Sequence, residues 1–313
     1  MMTVADIREV AMIRPDVQAL LEQIPPESGT PTAEAVRESM RMLATVVDLP
    51  EPPLATARML ETAPLPTLLL DRREHRGAGP VLLWFHGGGF VFGGIDTHRS
   101  LAADMAQRLD LPVLLVDYRL APEAPYPAAV DDAEDVARWL ATSPSELDRE
   151  VTGLVLGGDS AGGTLTIVTA MALRDRPAEV PVVAQMLMWP ATDLVGKYPS
   201  QREFANGYLL TDESRAFYQD AYRPVITDVR ASPMQGVFTD LPPAVVLTAG
   251  LDPLRDEGRA YAAALITAGV PTSYFEAVGN IHALGLLRKA IPSSVTDIAQ
   301  ALNALKAQIG GLA

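Results

Sequence analysis

Six short apolar runs, rich in residues that favour extended backbone, alternate with stretches of helical periodicity along most of the chain. The runs are VLLWFH (81–86), PVLLVDY (112–118), GLVLGG (153–158), VVAQMLM (182–188), AVVLTAG (244–250) and TSYFEA (272–277). Between them lie AADMAQRL, PAAVDDAEDVARWLATS, AGGTLTIVTAMALRD and DEGRAYAAALITAG, whose apolar positions recur three and four apart. A strand that is apolar at nearly every position must be covered on both faces, and strands separated by helices pair in parallel. The pattern therefore predicts an α/β fold with a mostly parallel central sheet flanked by helices.

Length and composition fit one large domain or a core with a smaller appendage: 313 residues, 48% hydrophobic and 20% charged, bury a substantial core. The chain has no cysteine, which excludes disulfides, cysteine-bound zinc and a thiol nucleophile. A formal net charge of −14 opposes binding to nucleic acid or to an anionic membrane surface. The opening residues carry scattered acids and no continuous apolar core of a signal peptide, and no uncharged run is long enough to span a bilayer. A soluble, cytoplasmic protein is expected.

Two regions depart from the alternation. Residues 1–50 read as amphipathic helices (ADIREVAMI, PDVQALLEQI, TAEAVRESMRMLATVV), ended by LPEPPLA. Residues 196–235 form a long insertion between two strands, with a loop and then a helix from about Thr211 in FANGYLLTDESRAFYQDAYRP. Together they are expected to form a discontinuous helical cap over the C-terminal edge of the sheet, leaving 51–195 and 236–313 as the core domain.

The strongest local signal is GLVLGGDSAGGTL, where an apolar run enters Gly158-Asp159-Ser160-Ala161-Gly162 and a helical stretch follows at once. A serine on so sharp a strand-to-helix turn needs small neighbours, and the helix N-terminus beyond offers free N–H groups to developing negative charge. Upstream, WFHGGGFVFG begins at Trp84 and places three glycines behind His86 at a strand end. Bare backbone there suits an oxyanion-binding loop. A glycine-rich turn is the plainer reading, and a phosphate cradle lacks its usual G-x-G-x-x-G or Lys-Ser/Thr companions.

Serine needs a general base, and the chain has four histidines. His86 belongs to the glycine loop and is expected to buttress it. His75 and His98 sit in a charged turn and before a helix, where they read as solvent-facing or capping. His282, after the last run, stands at a strand's C-terminal end, where α/β proteins bind ligands. The third member is expected at Asp252, two residues beyond a strand. Asp252-Pro253 also reads as a helix start, and Asp256 and Glu257 are the alternatives, although a helix's first turn already explains acids there.

HGGGF, DYRLAPEAPYPAA, GDSAGG, WPATD, DPLRDEGRAYA and the late histidine together resemble the hormone-sensitive-lipase-like family of bacterial carboxylesterases. The resemblance spans Trp84 to His282. It implies an α/β-hydrolase fold, Ser160 as nucleophile, His282 as base, Asp252 as acid, and the amides of Gly88, Gly89 and Ala161 as oxyanion donors. It also implies a cap over the acyl pocket, small acyl ester substrates, no metal and no organic cofactor, and it leaves a homodimer open. Asp117, Tyr118 and Arg119 are assigned to packing and polar networks, and Asp193 to the pocket floor. Phe90, Phe92, Phe204, Tyr208, Leu209 and Leu210 are candidates for the pocket wall, or equally for packing between cap and core. One departure stands out: the family's His-Gly-Phe is His282-Ala283-Leu284 here. A peptidase, amidase or thioesterase would share the triad, and a binding protein on a hydrolase scaffold is the reading from a different class.

Overall fold

The structure, a computed structural model, describes residues 13–24 and 32–310. The ADIREVAMI helix expected at the start lies almost wholly outside the described residues.

The eight strands are β1 (Thr56–Met59), β2 (Thr67–Asp71), β3 (Gly79–Phe85), β4 (Val113–Val116), β5 (Val151–Asp159), β6 (Val182–Met188), β7 (Ala244–Leu251) and β8 (Thr272–Ile281). They form one sheet in the order β1-β2-β4-β3-β5-β6-β7-β8. β1–β2 and β2–β4 pair antiparallel, and every pairing from β4 onward is parallel. The six apolar runs are β3 to β8. The antiparallel pair β1–β2 was not among them, because Leu68–Leu70 is a short apolar triplet and β1 (TARM) is mostly exposed. β2 is buried at all five residues, lying between β1 and β4 with Leu69 in one core and Leu68 and Leu70 in the other.

The nine helices among the described residues are α1 (Pro15–Leu21), α2 (Ala33–Val47), α3 (Ile95–Leu109), α4 (Ala128–Ala141), α5 (Ala161–Asp175), α6 (Pro199–Glu203), α7 (Asp212–Tyr222), α8 (Arg255–Thr267) and α9 (Ser294–Gly310). The two faces of the sheet explain the unbroken apolar strands. Val81, Leu83 and Phe85 of β3 point into one core with Val136 and Leu140 of α4, Leu165 of α5 and Leu265 of α8. Leu82 and Trp84 point into the other, with Leu101 and Met105 of α3 and Ile298 and Leu302 of α9. Each fully buried side chain of this kind is worth roughly 1.5–3 kcal/mol relative to exposure, so polar substitution on either face is costly.

A third cluster joins Val17 of α1 and Val47 of α2 to Phe204, Leu251, Ile281, Leu287 and Ile291, above the C-terminal ends of β7 and β8. Polar ties fix the N-terminal helices there. Arg37 of α2 donates to the carbonyls of Val91 and Ala121 at 2.8 Å each and pairs with Glu123. Buried Arg288 makes two 2.8 Å bonds to Asp48, just beyond α2. α7 starts where the sequence suggests, with Thr211 capping it through the Ser214 amide.

Candidate active site

β5 ends at Asp159 and α5 begins at Ala161, so Ser160 occupies the turn alone, at φ 51° and ψ −117°. The neighbouring glycine is a steric necessity: a Cβ on Gly162 would lie 1.9 Å from the carbonyl oxygen of Phe85. The Ser160 amide donates to Met188 at 3.0 Å, and its carbonyl accepts from Ala191 at 3.1 Å, tying the turn to the end of β6.

His282 follows β8 directly. Its Nε2 lies 3.0 Å from Ser160 Oγ, and its Nδ1 lies 2.7 Å from Asp252 Oδ2. Because a carboxylate only accepts, the Nδ1 proton faces Asp252 and the Nε2 lone pair is left for the serine hydroxyl. Asp252 is 0% exposed, and its other oxygen accepts the Leu254 amide at 2.8 Å. The helix that Asp252-Pro253 suggested starts later, at Arg255. Asp256 accepts from Ser200 and pairs with Arg255 and Arg259, while Glu257 accepts from Thr192, so both alternatives have other partners.

The glycine loop runs beside this trio. Gly88 has φ +118°, and a Cβ there would lie 2.1 Å from the Phe92 carbonyl oxygen. No acceptor among the described residues takes the N–H groups of Gly88, Gly89 or Ala161. Three unpaired donors at the rim of a cavity holding a serine are free to meet a ligand oxygen. Gly87 is held from below by a 3.1 Å bond from its amide to Asp159.

His98 departs from its expected solvent-facing or capping role. It is 1% exposed, with Nε2 3.3 Å from Asp159 and Nδ1 2.8 Å from the Thr97 hydroxyl. His86 is fully buried, stacked on Tyr118 at 4.1 Å, and burial pulls its imidazole down to about 3. His75 is exposed. Tyr118 donates to the His86 carbonyl at 2.7 Å, Arg119 grips Asp132, and Asp117 accepts the Ile95 amide at 2.6 Å, a polar frame under the glycine loop.

A cavity of about 390 Å³ opens onto Ser160 and His282. Of the candidate wall residues, Phe90, Phe92, Asp193, Leu209 and Leu210 line it. Phe204 and Tyr208 do not: they pack edge-on at 5.2 Å, with the Arg255 guanidinium 4.8 Å over the Phe204 ring. Both join the apolar cluster with Val17 of α1 and Val47 of α2 instead. Asp193 accepts from the Val195 and Gly196 amides and from the hydroxyls of Tyr198 and Ser232, which holds the loop after β6. Sequence reasoning left unnamed Met40, Leu43 and Val47 of α2 and Tyr218 and Tyr222 of α7, which complete the wall. The amphipathic stripe of α2 was the available signal.

Glu257 is a further wall residue, 1% exposed. Its Oε1 accepts the Thr192 and Asp193 amides at 2.7 and 3.4 Å, and Oε2 has no partner among the described residues. Burial pushes its carboxyl up to about 8, so it is neutral at pH 7. No group of three or more His, Asp or Glu able to hold a metal occurs among the described residues, and no described helix is long and apolar enough to cross a membrane.

A strand-turn-helix serine, a late histidine and a mostly parallel sheet define an α/β hydrolase, and the family model for the alpha/beta hydrolase fold matches residues 82–286. Esterase LipI of Mycobacterium tuberculosis is 34% identical over 284 residues, covering 89% of this chain and 85% of that protein. The ethyl acetate hydrolase of Pseudomonas putida is 35% identical, covering 73% of each. An ester hydrolase from the Lake Arreo metagenome, solved with a bipyridine phosphonate derivative, superposes with a TM-score of 0.90 at 35% identity, over 96% of this chain and all of that one. The chain belongs to the hormone-sensitive-lipase-like carboxylesterases of the α/β-hydrolase family.

Proposed function

We propose that this carboxylic ester hydrolase cleaves short-chain acyl esters through an acyl-enzyme on Ser160, with His282 as general base, Asp252 as its orienting acid and the amides of Gly88, Gly89 and Ala161 as the oxyanion hole. The observation that carries the reading is the continuous relay from Asp252 to His282 at 2.7 Å and on to Ser160 at 3.0 Å, ending in a cavity.

His282 takes the Ser160 proton as Oγ attacks the ester carbonyl. The oxyanion meets the three amides, each such donor being worth on the order of 3–4 kcal/mol in the transition state. The tetrahedral intermediate collapses, the carbon–oxygen bond to the alcohol breaks, and His282 returns its proton to that oxygen. Water then gives a proton to His282 as its oxygen attacks the acyl carbon; the bond to Ser160 Oγ breaks, His282 returns the proton to Oγ, and the acid leaves. Asp252 orients the ring and stabilises its charged form throughout. The acyl chain lies against Phe90, Phe92, Leu209 and Leu210, and Asp193 holds the loop at the floor. Residues 1–50 and 196–235 serve as a cap, which the shared apolar cluster of α1, α2 and Phe204 supports. The name of the Pseudomonas putida relative, an ethyl acetate hydrolase, supports small substrates.

The test is hydrolysis of p-nitrophenyl acetate, butyrate, octanoate and palmitate by the wild type beside Ser160→Ala. Activity on the short esters that is absent in the variant is expected. A profile peaking at palmitate would overturn the short-chain assignment, and hydrolysis of amides without esters would overturn the reaction.

A further inference from the structure

Ala283, directly after His282, has φ 61° and ψ 21°. A Cβ makes this left-handed conformation unfavourable, whereas glycine adopts it freely. The chain cannot relax away from it. Leu284 is fully buried, the Leu286 amide donates to the Ala283 carbonyl at 2.8 Å, and the next residue, Gly285, is packed so closely that a Cβ would lie 2.6 Å from the Trp189 ring. Between buried His282 and buried Leu284, Ala283 alone is partly exposed, and it forms part of the cavity wall. A strained residue kept beside the reacting groups points to a use for its side chain, and the side chain of alanine is one methyl group.

The chemistry decides which half of the ester that methyl meets. The carbonyl oxygen is drawn to the amides of Gly88, Gly89 and Ala161. The leaving oxygen must instead lie within hydrogen-bond reach of His282 Nε2, because it takes its proton there. The alcohol therefore departs along the His282 side of the cavity, whose wall continues through Leu286 and Leu287 to Val47 and Leu43 of α2. These groups are apolar and offer no partner to a charged or hydroxylated alcohol.

Resting on the serine-esterase reading above, we propose that Ala283 sets the size of the alcohol subsite: its methyl admits primary, apolar alcohols and rejects branching at the carbon bearing the leaving oxygen. In Ala283→Gly the methyl is removed and the backbone conformation becomes permitted, so the fold is retained.

The experiment compares wild type and Ala283→Gly on ethyl, n-butyl, isopropyl and sec-butyl acetates by acid release, and on the p-nitrophenyl acyl series, in which the alcohol is constant. The expected result is a rise of about tenfold in kcat/KM for the branched acetates relative to ethyl acetate, the scale of one methyl group in an apolar pocket. The acyl-length profile should keep its shape, and Tm should stay within about 3 °C of the wild type or rise. A branched-to-linear ratio within twofold of the wild type would overturn the proposal while leaving the esterase intact, as would a shift in acyl preference instead. A wild type inert on every ester would remove both the subsite and the esterase reading beneath it.

Discussion

Asp252 grips His282 across thirty residues of sequence, with Oδ2 2.7 Å from Nδ1, while its Oδ1 accepts the Leu254 amide at 2.8 Å. The carboxylate is held from both sides and cannot swing away from the ring. In Asp252→Asn the amide's NH2 group can face Nδ1, which favours the tautomer with its proton on Nε2 and leaves no lone pair for Ser160. We expect kcat to fall on the order of 10⁴-fold with Tm little changed. Steady-state kinetics on p-nitrophenyl butyrate beside a thermal melt separates this from simple unfolding.

Gly162 has no room for a side chain, since the Phe85 carbonyl oxygen would stand 1.9 Å from its Cβ. Both elements involved are central to the sheet and helix that carry Ser160, so neither can yield cheaply. Gly162→Ala is expected to cost about 3 kcal/mol or more of stability and to lower soluble yield. A denaturant midpoint equal to the wild type's would show that the turn is looser than its geometry states.

Glu257 gives the protein an alkaline liability. Its folded carboxyl titrates at about 8, above the ordinary 4.5, so the folded state holds a proton that the unfolded chain has lost. Its contribution to stability is complete below pH 4.5 and drains away as pH rises through 8, at up to about 1.4 kcal/mol per pH unit. Glu257→Gln removes that slope. Urea melts at pH 5, 6.5 and 8 should show the variant gaining on the wild type as pH rises, and a constant difference would mean that Glu257 is ionised in the fold.

His86 acts in the opposite direction. Burial first, and the proximity of His98 second, depress its imidazole from 6.5 to about 3. The unfolded chain takes up a proton that the folded one refuses, so this contribution is present above pH 6.5 and is lost as pH falls toward 3. His86→Asn should flatten the acid side of the stability curve. Melts at pH 4, 5 and 7 check it: the variant's deficit should shrink toward pH 4.

What was legible in the sequence is what local backbone geometry dictates. The turn at Ser160 and the loop at Gly88 demand glycine wherever they occur, so both could be read from a few letters. The six strands were legible because covering both faces of a sheet leaves few polar positions, and these gather mainly in the edge strand β8, with Thr272, Ser273 and Glu276. β1 and β2 were not: β1 is a mostly exposed edge strand, and the burial of β2 between β1 and β4 comes from antiparallel pairings that no local pattern announces. His98 was misread for the same kind of reason: its partner Asp159 comes from 61 residues away. Phe204 and Tyr208 stayed open between pocket wall and packing because an aromatic in a sequence does not state which way its ring turns; here the two rings pack on each other, with Arg255 over Phe204.

The central claim is a covalent acyl group on Ser160, and rapid mixing with p-nitrophenyl acetate tests it most directly. Acid-quenched samples should carry one acetyl group, mapped by peptide mass to the segment containing Ser160 and absent from Ser160→Ala. An adduct on another residue, or ester turnover undiminished in Ser160→Ala, would contradict it.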